Sequence, residues 1–365
     1  MEAINLSTTF SPNYAVHPGQ TLTDVLTDRG ITQAELATRI GRPLKTINEI
    51  VKGKASITPE TALQLDRALN VDARVWNALE AHYQLLLAEK REASRLLSYI
   101  DWIKCLPLAE MRKRGILPHG QENIDSVKSA LRFFGVDSPE SLTHSSTVAA
   151  FRKSPTFDAD DFALHTWLRL GELAGQALKC DSFDKIRFRN ALSEIRKLST
   201  EDDLTLVKTR LVDMCSSVGV AVIFVTPFQH TPVSGAARWL NPEKALIQLT
   251  CRHKTDDHVW FTFFHEAAHI LLHGKKEGFL DDSVVDHEVP EREANSFAAN
   301  ALIPIAAMNE FARQRPITKN LILGFASEMG VSPGIVVGQL QARKRLPMVT
   351  TLNTLKRRGY DLTDV

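Results

Sequence analysis

Only four cysteines occur in 365 residues, Cys105, Cys180, Cys215 and Cys251, and no two form a Cys-x-x-Cys pair. That scarcity excludes a disulfide framework and a cysteine-held zinc site, and it reads as reduced thiols of a cytoplasmic protein. Net charge is nearly absent too, since 44 Lys and Arg stand against 43 Asp and Glu. A chain coated in nucleic acid would be strongly basic, so nucleic-acid contact is expected from one module only. No basic-then-apolar signal opens the chain, and no apolar run approaches the roughly 20 residues of a membrane helix, so no membrane partner is expected. What remains is soluble globular composition with length for two or three domains.

Within this ordinary background, the apolar run 259–273 contains His265-Glu-Ala-Ala-His269. Two histidines four apart on a helix share a face and can reach one metal ion. Glu266 sits about 100° round the helix, close enough to act on a metal-bound water without being a ligand. A hydrolytic zinc site needs three protein ligands and one open position, and the third ligand is often a carboxylate. Downstream, Pro290-Glu-Arg-Glu-Ala-Asn295 suits a helix opening near Pro290. Glu291 and Asn295 share a face of it, so Glu291 is the expected ligand and Asn295 a residue that orients one. Glu293, on another side of the same helix, is the rival ligand. His273 continues the four-residue ladder, but three ligands complete the site, so it reads as a supporting or capping residue. The expectation is Zn2+ at His265, His269 and a glutamate, with Glu266 catalytic in peptide-bond hydrolysis.

A second pattern lies near the other end. Between Thr32 and Val51 the apolar residues fall at 36, 37, 40, 47, 50 and 51, with a break at Gly41 to Pro43. Two short helices around a tight turn would give Leu36, Ala37, Ile40, Ile47 and Ile50 a shared core. Thr32 is the expected N-cap of the first helix, with Glu35 placed for a capping box, and Pro43 suits the first turn of the second. Five basic side chains (Arg39, Arg42, Lys45, Lys52, Lys54) and a single acid (Glu49) occupy residues 39–54, as a phosphate-binding face requires. Lys45, Thr46 and Glu49 would meet base edges in the major groove of double-stranded operator DNA. Gln33, Arg42, Lys52 and Lys54 are assigned to the same DNA-binding set, with Gln33, Lys52 and Lys54 placed for phosphates. One short reader helix usually needs a second half-site, so a homodimer is expected.

Two family resemblances follow. Phe263-Phe-His-Glu-Ala-Ala-His-Ile-Leu-Leu-His273, with Glu291-Arg-Glu-Ala-Asn-Ser-Phe-Ala-Ala299 and Leu302-Ile-Pro304, resembles the ImmA/IrrE metallopeptidases over about residues 205 to 345. The resemblance implies that His265, His269 and Glu291 hold zinc, that Glu266 is the general base, and that the substrate is a repressor or other regulatory protein cut under stress. His17-Pro-Gly19, Ile47-Asn-Glu-Ile-Val-Lys-Gly-Lys54, Ile57-Thr-Pro-Glu-Thr-Ala62 and Trp76 are similar to XRE-type helix-turn-helix proteins, and more narrowly to HigA-type antitoxins, over roughly residues 15 to 90. This second resemblance implies repression of the protein's own operon and, in HigA systems, a partner toxin.

The organisation expected is mainly α with a small β-sheet (α+β), in three parts. Residues 1–92 form the helix-turn-helix bundle, residues 93–203 a helical linking or regulatory region without a catalytic motif, and residues 204–365 a zincin-like metallopeptidase domain. Residues 220–225, 235–240 and 245–250 read as strands, the last two joined at Asn241-Pro242. The 235–240 strand is the candidate edge for binding a substrate backbone. The function expected is a repressor that carries an endopeptidase. The alternative is a HigA-like antitoxin in which the metal is structural or sensory.

Overall fold

The structure, a computed structural model, describes residues 16–143, 159–229, 231, 233–273, 288–314 and 316–363. The chain divides into two compact units, Met1–Ile100 and Asp101–Val365. The first unit therefore runs past Glu92, because its last helix continues to Leu97, and the helices between 101 and 200 lie in the same unit as His265-Glu-Ala-Ala-His269.

The first unit is built from α1 (Pro18–Asp28), α2 (Gln33–Ile40), α3 (Leu44–Val51), α4 (Pro59–Leu69) and α5 (Ala73–Leu97). Thr32 caps α2 by accepting the Glu35 backbone N–H, while the Glu35 carboxylate pairs with Arg39 rather than closing a capping box. Gly41 takes φ +64° and ends α2, so the chain reverses at once into α3. Pro43 immediately precedes α3, one residue earlier than a first-turn position. Leu36, Ala37, Ile40, Ile47 and Ile50 are all buried and join Leu22, Leu65 and Trp76 in one core. Gly19 is fixed by packing, since a Cβ there would lie 1.9 Å from the Ile50 carbonyl oxygen. That close approach explains why His17-Pro-Gly19 precedes the bundle, with the His17 side chain capping α1 through the Gly19 N–H.

The second unit opens with short helices α6 (Ile100–Ile103), α7 (Leu108–Lys113), α8 (Ile124–Phe134) and α9 (Pro139–Thr143), followed by α10 (Ala159–Ala177), α11 (Lys185–Lys197) and α12 (Leu204–Ser216). Strands β1 (Val220–Phe224), β2 (Gly235–Asn241) and β3 (Lys244–Leu249) then form one sheet in the order β1-β3-β2. β1 pairs with β3 in parallel and β2 with β3 antiparallel, so β2 is an edge. The rest is helical: α13 (Asp256–Leu272), α14 (Glu288–Leu302), α15 (Ile305–Phe311), α16 (Lys319–Met329) and α17 (Pro333–Ala342).

Strand alternation sends the two sheet faces to different helices. Leu246 and Gln248 meet α10, where Gln248 donates to the Trp167 carbonyl at 2.7 Å and fills the place of a side chain at Gly171. Ala245, Ile247 and Leu249 join the core around Phe263, Phe264 and Ala267 of α13. The N-terminal turn of α13 is held by the C-terminal part of the unit. Ser332 donates its hydroxyl to buried Asp256 at 2.6 Å, the Arg357 backbone N–H donates to the same carboxylate, and Lys356 pairs with Asp257 at 2.6 Å. Gly334 and Gly338 of α17 lie directly over these two carboxylates.

A Cβ at Gly334 would fall 2.3 Å from Asp256 Oδ1, whereas one at exposed Gly324 inside α16 would meet no atom within 4 Å. Gly334→Ala should therefore lower the unfolding free energy by about 1–3 kcal/mol. Gly324→Ala should raise it by about 0.5–1 kcal/mol, because a helix-interior glycine carries an entropic penalty. Denaturant titration of both variants checks the opposite signs.

Candidate metal centre and nucleic-acid interface

α13 crosses α14 at the point where their polar faces meet. The Nε2 atoms of His265 and His269 lie 3.1 Å apart, and Glu291 places one carboxylate oxygen 3.3 Å from the first and the other 3.4 Å from the second. These three residues could hold one metal ion, their donor atoms all lying within 4.8 Å of one another. A tetrahedral ion with metal–ligand bonds of about 2.0–2.1 Å separates its ligand atoms by about 3.3 Å, so the donor set fits zinc in both chemistry and spacing. Glu291 is 55% exposed, which leaves the side of the site away from α13 open.

Each histidine is steered through its other nitrogen. His265 Nδ1 lies 3.1 Å from Asn295 Oδ1, so the ring donates there and leaves the Nε2 lone pair free. His269 Nδ1 lies 2.9 Å from His273 Nδ1, and His273 Nε2 lies 3.3 Å from Glu293 Oε2. A donation from His269 to His273, and from His273 to Glu293, satisfies every ring nitrogen in one direction. Glu293, the rival ligand, thus stands with His273 and away from the trio. Burial, with the neighbouring His265 and His273, lowers the His269 pKa to about 4. Its ring is therefore neutral at pH 7, as a metal ligand must be.

Glu266 lies against the start of the edge strand, within electrostatic reach of Glu291. It is buried, and burial, with a smaller push from Glu291, raises its pKa to about 8. A Cβ at Gly235 would lie 2.8 Å from Glu266 Oε1 and 2.7 Å from the Thr262 methyl, so only glycine lets β2 approach the carboxylate this closely. Sequence pattern could not show this contact, because it joins a strand terminus to a helix 31 residues later. The candidate substrate strand 235–240 is that same edge.

In the first unit, Lys45 projects from the start of α3 with its side chain 84% exposed, 3.9 Å from Glu49. Thr46 and Glu49 are half-buried on the same helix, and Lys52 and Lys54 are exposed just beyond its end. Gln33 is half-buried at the first position of α2. Arg42 is partly tied down, its Nε donating to Gln64 Oε1 at 2.6 Å.

The two shifted groups of the metal-free centre have opposite pH signatures. The His269 pKa is depressed, so its contribution to stability is present above pH 6.5 and fades as pH falls towards 4. The Glu266 pKa is raised from 4.5, so its contribution is full below pH 4.5 and is lost as pH rises through about 8. Between pH 6.5 and 8 the Glu266 contribution alone should act, and the thermal midpoint of metal-free protein should fall. The same scan on Glu266→Gln should be flatter; an equal fall in both would assign the effect elsewhere.

Among the described residues, no single helix is long and apolar enough to cross a membrane. Residues 24–76 match the helix-turn-helix family model and residues 218–340 match the IrrE N-terminal-like domain. Virulence-associated protein I of Dichelobacter nodosus is 36% identical over 81 residues, which are 22% of this chain and 75% of that protein. An addiction module antidote protein of the HigA family from Coxiella burnetii is 25% identical, with 23% of this chain and 92% of that one covered at a TM-score of 0.22. The Pseudomonas aeruginosa antitoxin HigA, solved with the higBA promoter, is 29% identical, covering 22% and 90% at a TM-score of 0.22. The chain belongs to the helix-turn-helix family through its first unit, and its second unit carries the segment that matches the IrrE N-terminal-like domain.

Proposed function

We propose that this chain is a DNA-binding transcriptional repressor whose second unit is a zinc-dependent endopeptidase acting on a regulatory protein. The observation that carries the peptidase reading is the convergence of His265, His269 and Glu291 beside a buried Glu266 that faces an edge strand. In this reading His265, His269 and Glu291 would hold zinc, which would supply Lewis acidity and a water acidified towards a pKa of about 7. Glu266 then takes a proton from water and passes one to the leaving amine. The backbone of an extended substrate pairs with the free edge of β2, whose first residue Gly235 lies against Glu266. Asn295, and the His273–Glu293 pair, hold the two imidazoles in place. A stress trigger and a repressor target are what the ImmA/IrrE resemblance implies for this site.

The decisive experiment incubates metal-loaded protein with candidate repressors, itself included, and identifies products by mass spectrometry. Glu266→Gln should keep its zinc and lose cleavage by at least a hundredfold, in the range expected for removal of a general base. Cleavage unchanged in that variant would overturn the mechanism. A Glu266→Gln protein that cuts nothing yet retains full regulatory function in cells would favour a HigA-like antitoxin with a structural or sensory metal.

For the first unit, we assign base contact to Lys45, Thr46 and Glu49 on α3, and backbone contact to Gln33, Arg42, Lys52 and Lys54. Supporting this are the helix-turn-helix match and the exposure of the basic side chains around α3. A homodimer would place two such helices about 34 Å apart, one turn of the duplex. In gel-shift titrations Lys45→Ala and Thr46→Ala should bind operator more weakly, by about 1–3 kcal/mol where a base contact is lost, with zinc content unchanged. Equal affinity of both variants and the parent would refute α3 as the reader.

A further inference from the structure

The turn between β3 and α13 carries a histidine pair outside the centre described above. His253 lies in that turn and His258 in the first turn of α13, and their rings stack with centroids 4.2 Å apart at an interplanar angle of 29°. Both are exposed. Their centroids are closer than those of His265 and His269, which lie 4.8 Å apart at 71°. A cavity of about 10 Å3 opens beside the pair, lined also by Ser234, Cys251 and Thr262. That volume is room for a single water or ion.

The backbone holds the pair in place against its own preference. Of the four non-glycine residues with positive φ among the described residues, Cys251 and Lys254, each at φ 48°, flank His253. Left-handed backbone is unfavourable for any residue with a Cβ, so neighbouring contacts must enforce the turn. The Lys254 N–H donates to the Cys251 carbonyl at 2.9 Å, the Lys254 carbonyl accepts from the Tyr360 N–H at 3.0 Å, and the Lys254 ammonium pairs with Asp361 at 2.8 Å. Neither imidazole makes a hydrogen bond or ion pair with another described residue. Each ring therefore keeps a nitrogen lone pair for a ligand.

We propose that His253 and His258 form a second metal site, which takes one borderline divalent cation (Zn2+, Cu2+ or Ni2+) on one nitrogen from each ring, with water in the remaining positions. Imidazole suits all three ions. In the stack the two lone pairs run nearly parallel, and the exposed His258 ring must turn about χ2, towards the 71° of the His265–His269 pair, for both to reach one ion. Two protein ligands instead of three make the site weaker than the trio. The positive pole of α13 and the neighbouring Arg252 oppose a cation there, and the carboxylates of Asp256 and Asp257 in the same turn offset them. His258 stands seven residues before His265 on the same stripe of α13, about 10.5 Å along the axis, so the two ions are separate. Ser234 immediately precedes Gly235, which puts the second ion between the turn after β3 and the entry of the edge strand. The site does not depend on peptide cleavage.

The test uses the full chain, free of any affinity tag, with His265→Ala and His269→Ala together, which removes both imidazoles of the trio. Titrated with Zn2+ or Ni2+ in a calorimeter, this protein should bind one equivalent. Adding His253→Ala or His258→Ala should weaken that binding by about tenfold or more, since losing a ligand costs more than losing a partner that only orients one. With one equivalent of Cu2+, the electron paramagnetic resonance spectrum should show hyperfine coupling to two imidazole nitrogens, and to one after either further substitution. Excess Zn2+ should also raise the thermal midpoint of the trio-deficient chain and leave that of the further-substituted chains unmoved. Both histidines are exposed, and the metal-free midpoints, equal across the variants, check that the fold is kept. Binding that survives both His253→Ala and His258→Ala places the ion elsewhere and overturns the site. So does the absence of binding to the trio-deficient chain, or a Cu2+ spectrum with fewer than two nitrogens before His253 or His258 is changed.

Discussion

The second unit depends on keeping three carboxylates out of water on one helix. Asp256, Asp257 and Glu266 are all buried along α13, and each ionised group would be costly there without compensation. The three are compensated differently. Asp256 is hydrogen-bonded by Ser332 and by two backbone N–H groups, although burial still holds its pKa above the usual carboxylate value. Asp257 has a lysine partner. Among the described residues Glu266 has neither a cation nor a backbone donor, and the charge that acts on it is the carboxylate of Glu291. The first two fix the helix; the third is held in a state that a cation at the neighbouring trio would change. Structural support and chemical reactivity are thus set by the same variable, the partner each buried charge is given.

The constraint reaches well beyond α13. Because Asp256 and Asp257 need close neighbours, α17 presents glycines at 334 and 338, and the segment 356–357 returns to the helix start with a cation and a backbone donor. Arg357 in turn donates to the carbonyls of Ser199 and Glu201, which joins the segment before α12 to the same cluster. At the other end of the helix His273 lies in extended backbone just past the last turn. It keeps its contact with His269 there, and hands the hydrogen-bond chain on to Glu293 of α14.

How much of this was legible in sequence follows from the range of each interaction. Spacing of four within one helix places His265 with His269, and Glu291 with Asn295, on shared faces, so the two halves of the centre could be read locally. The short core of α2 and α3 was legible for the same reason: Leu36, Ile40, Ile47 and Ile50 repeat at helical intervals across a glycine turn. The face that Glu291 shares with Asn295 set it apart from Glu293 in sequence too, but the pairing of Glu293 with His273 was not legible, since it depends on the crossing of α13 and α14. Nor were the contacts of Gly235 with Glu266 or of Gly334 with Asp256, which join residues far apart in the chain. The membership of residues 101–200 in the second unit also escaped pattern reading. Amphipathic periodicity there says that each helix buries a face, but not that Gln248 of β3 meets α10 at Gly171.

Asn295 links the geometry of the centre to a neighbouring cavity of about 650 Å3, which Phe261, Leu302 and Ile335 also line. Its Oδ1 fixes the His265 ring, and its side chain also forms part of the cavity rim. An occupant that pressed on the Asn295 amide would turn the imidazole, and with it the direction of the Nε2 lone pair. Misplacement by about 1 Å is enough to cost two orders of magnitude in a positioned reaction. Filling the cavity and aligning the metal-binding atoms would then not be separable events. An occupant that leaves Asn295 in place keeps the donor trio at its 3.1–3.4 Å spacing, and one that displaces it disturbs the centre next to it.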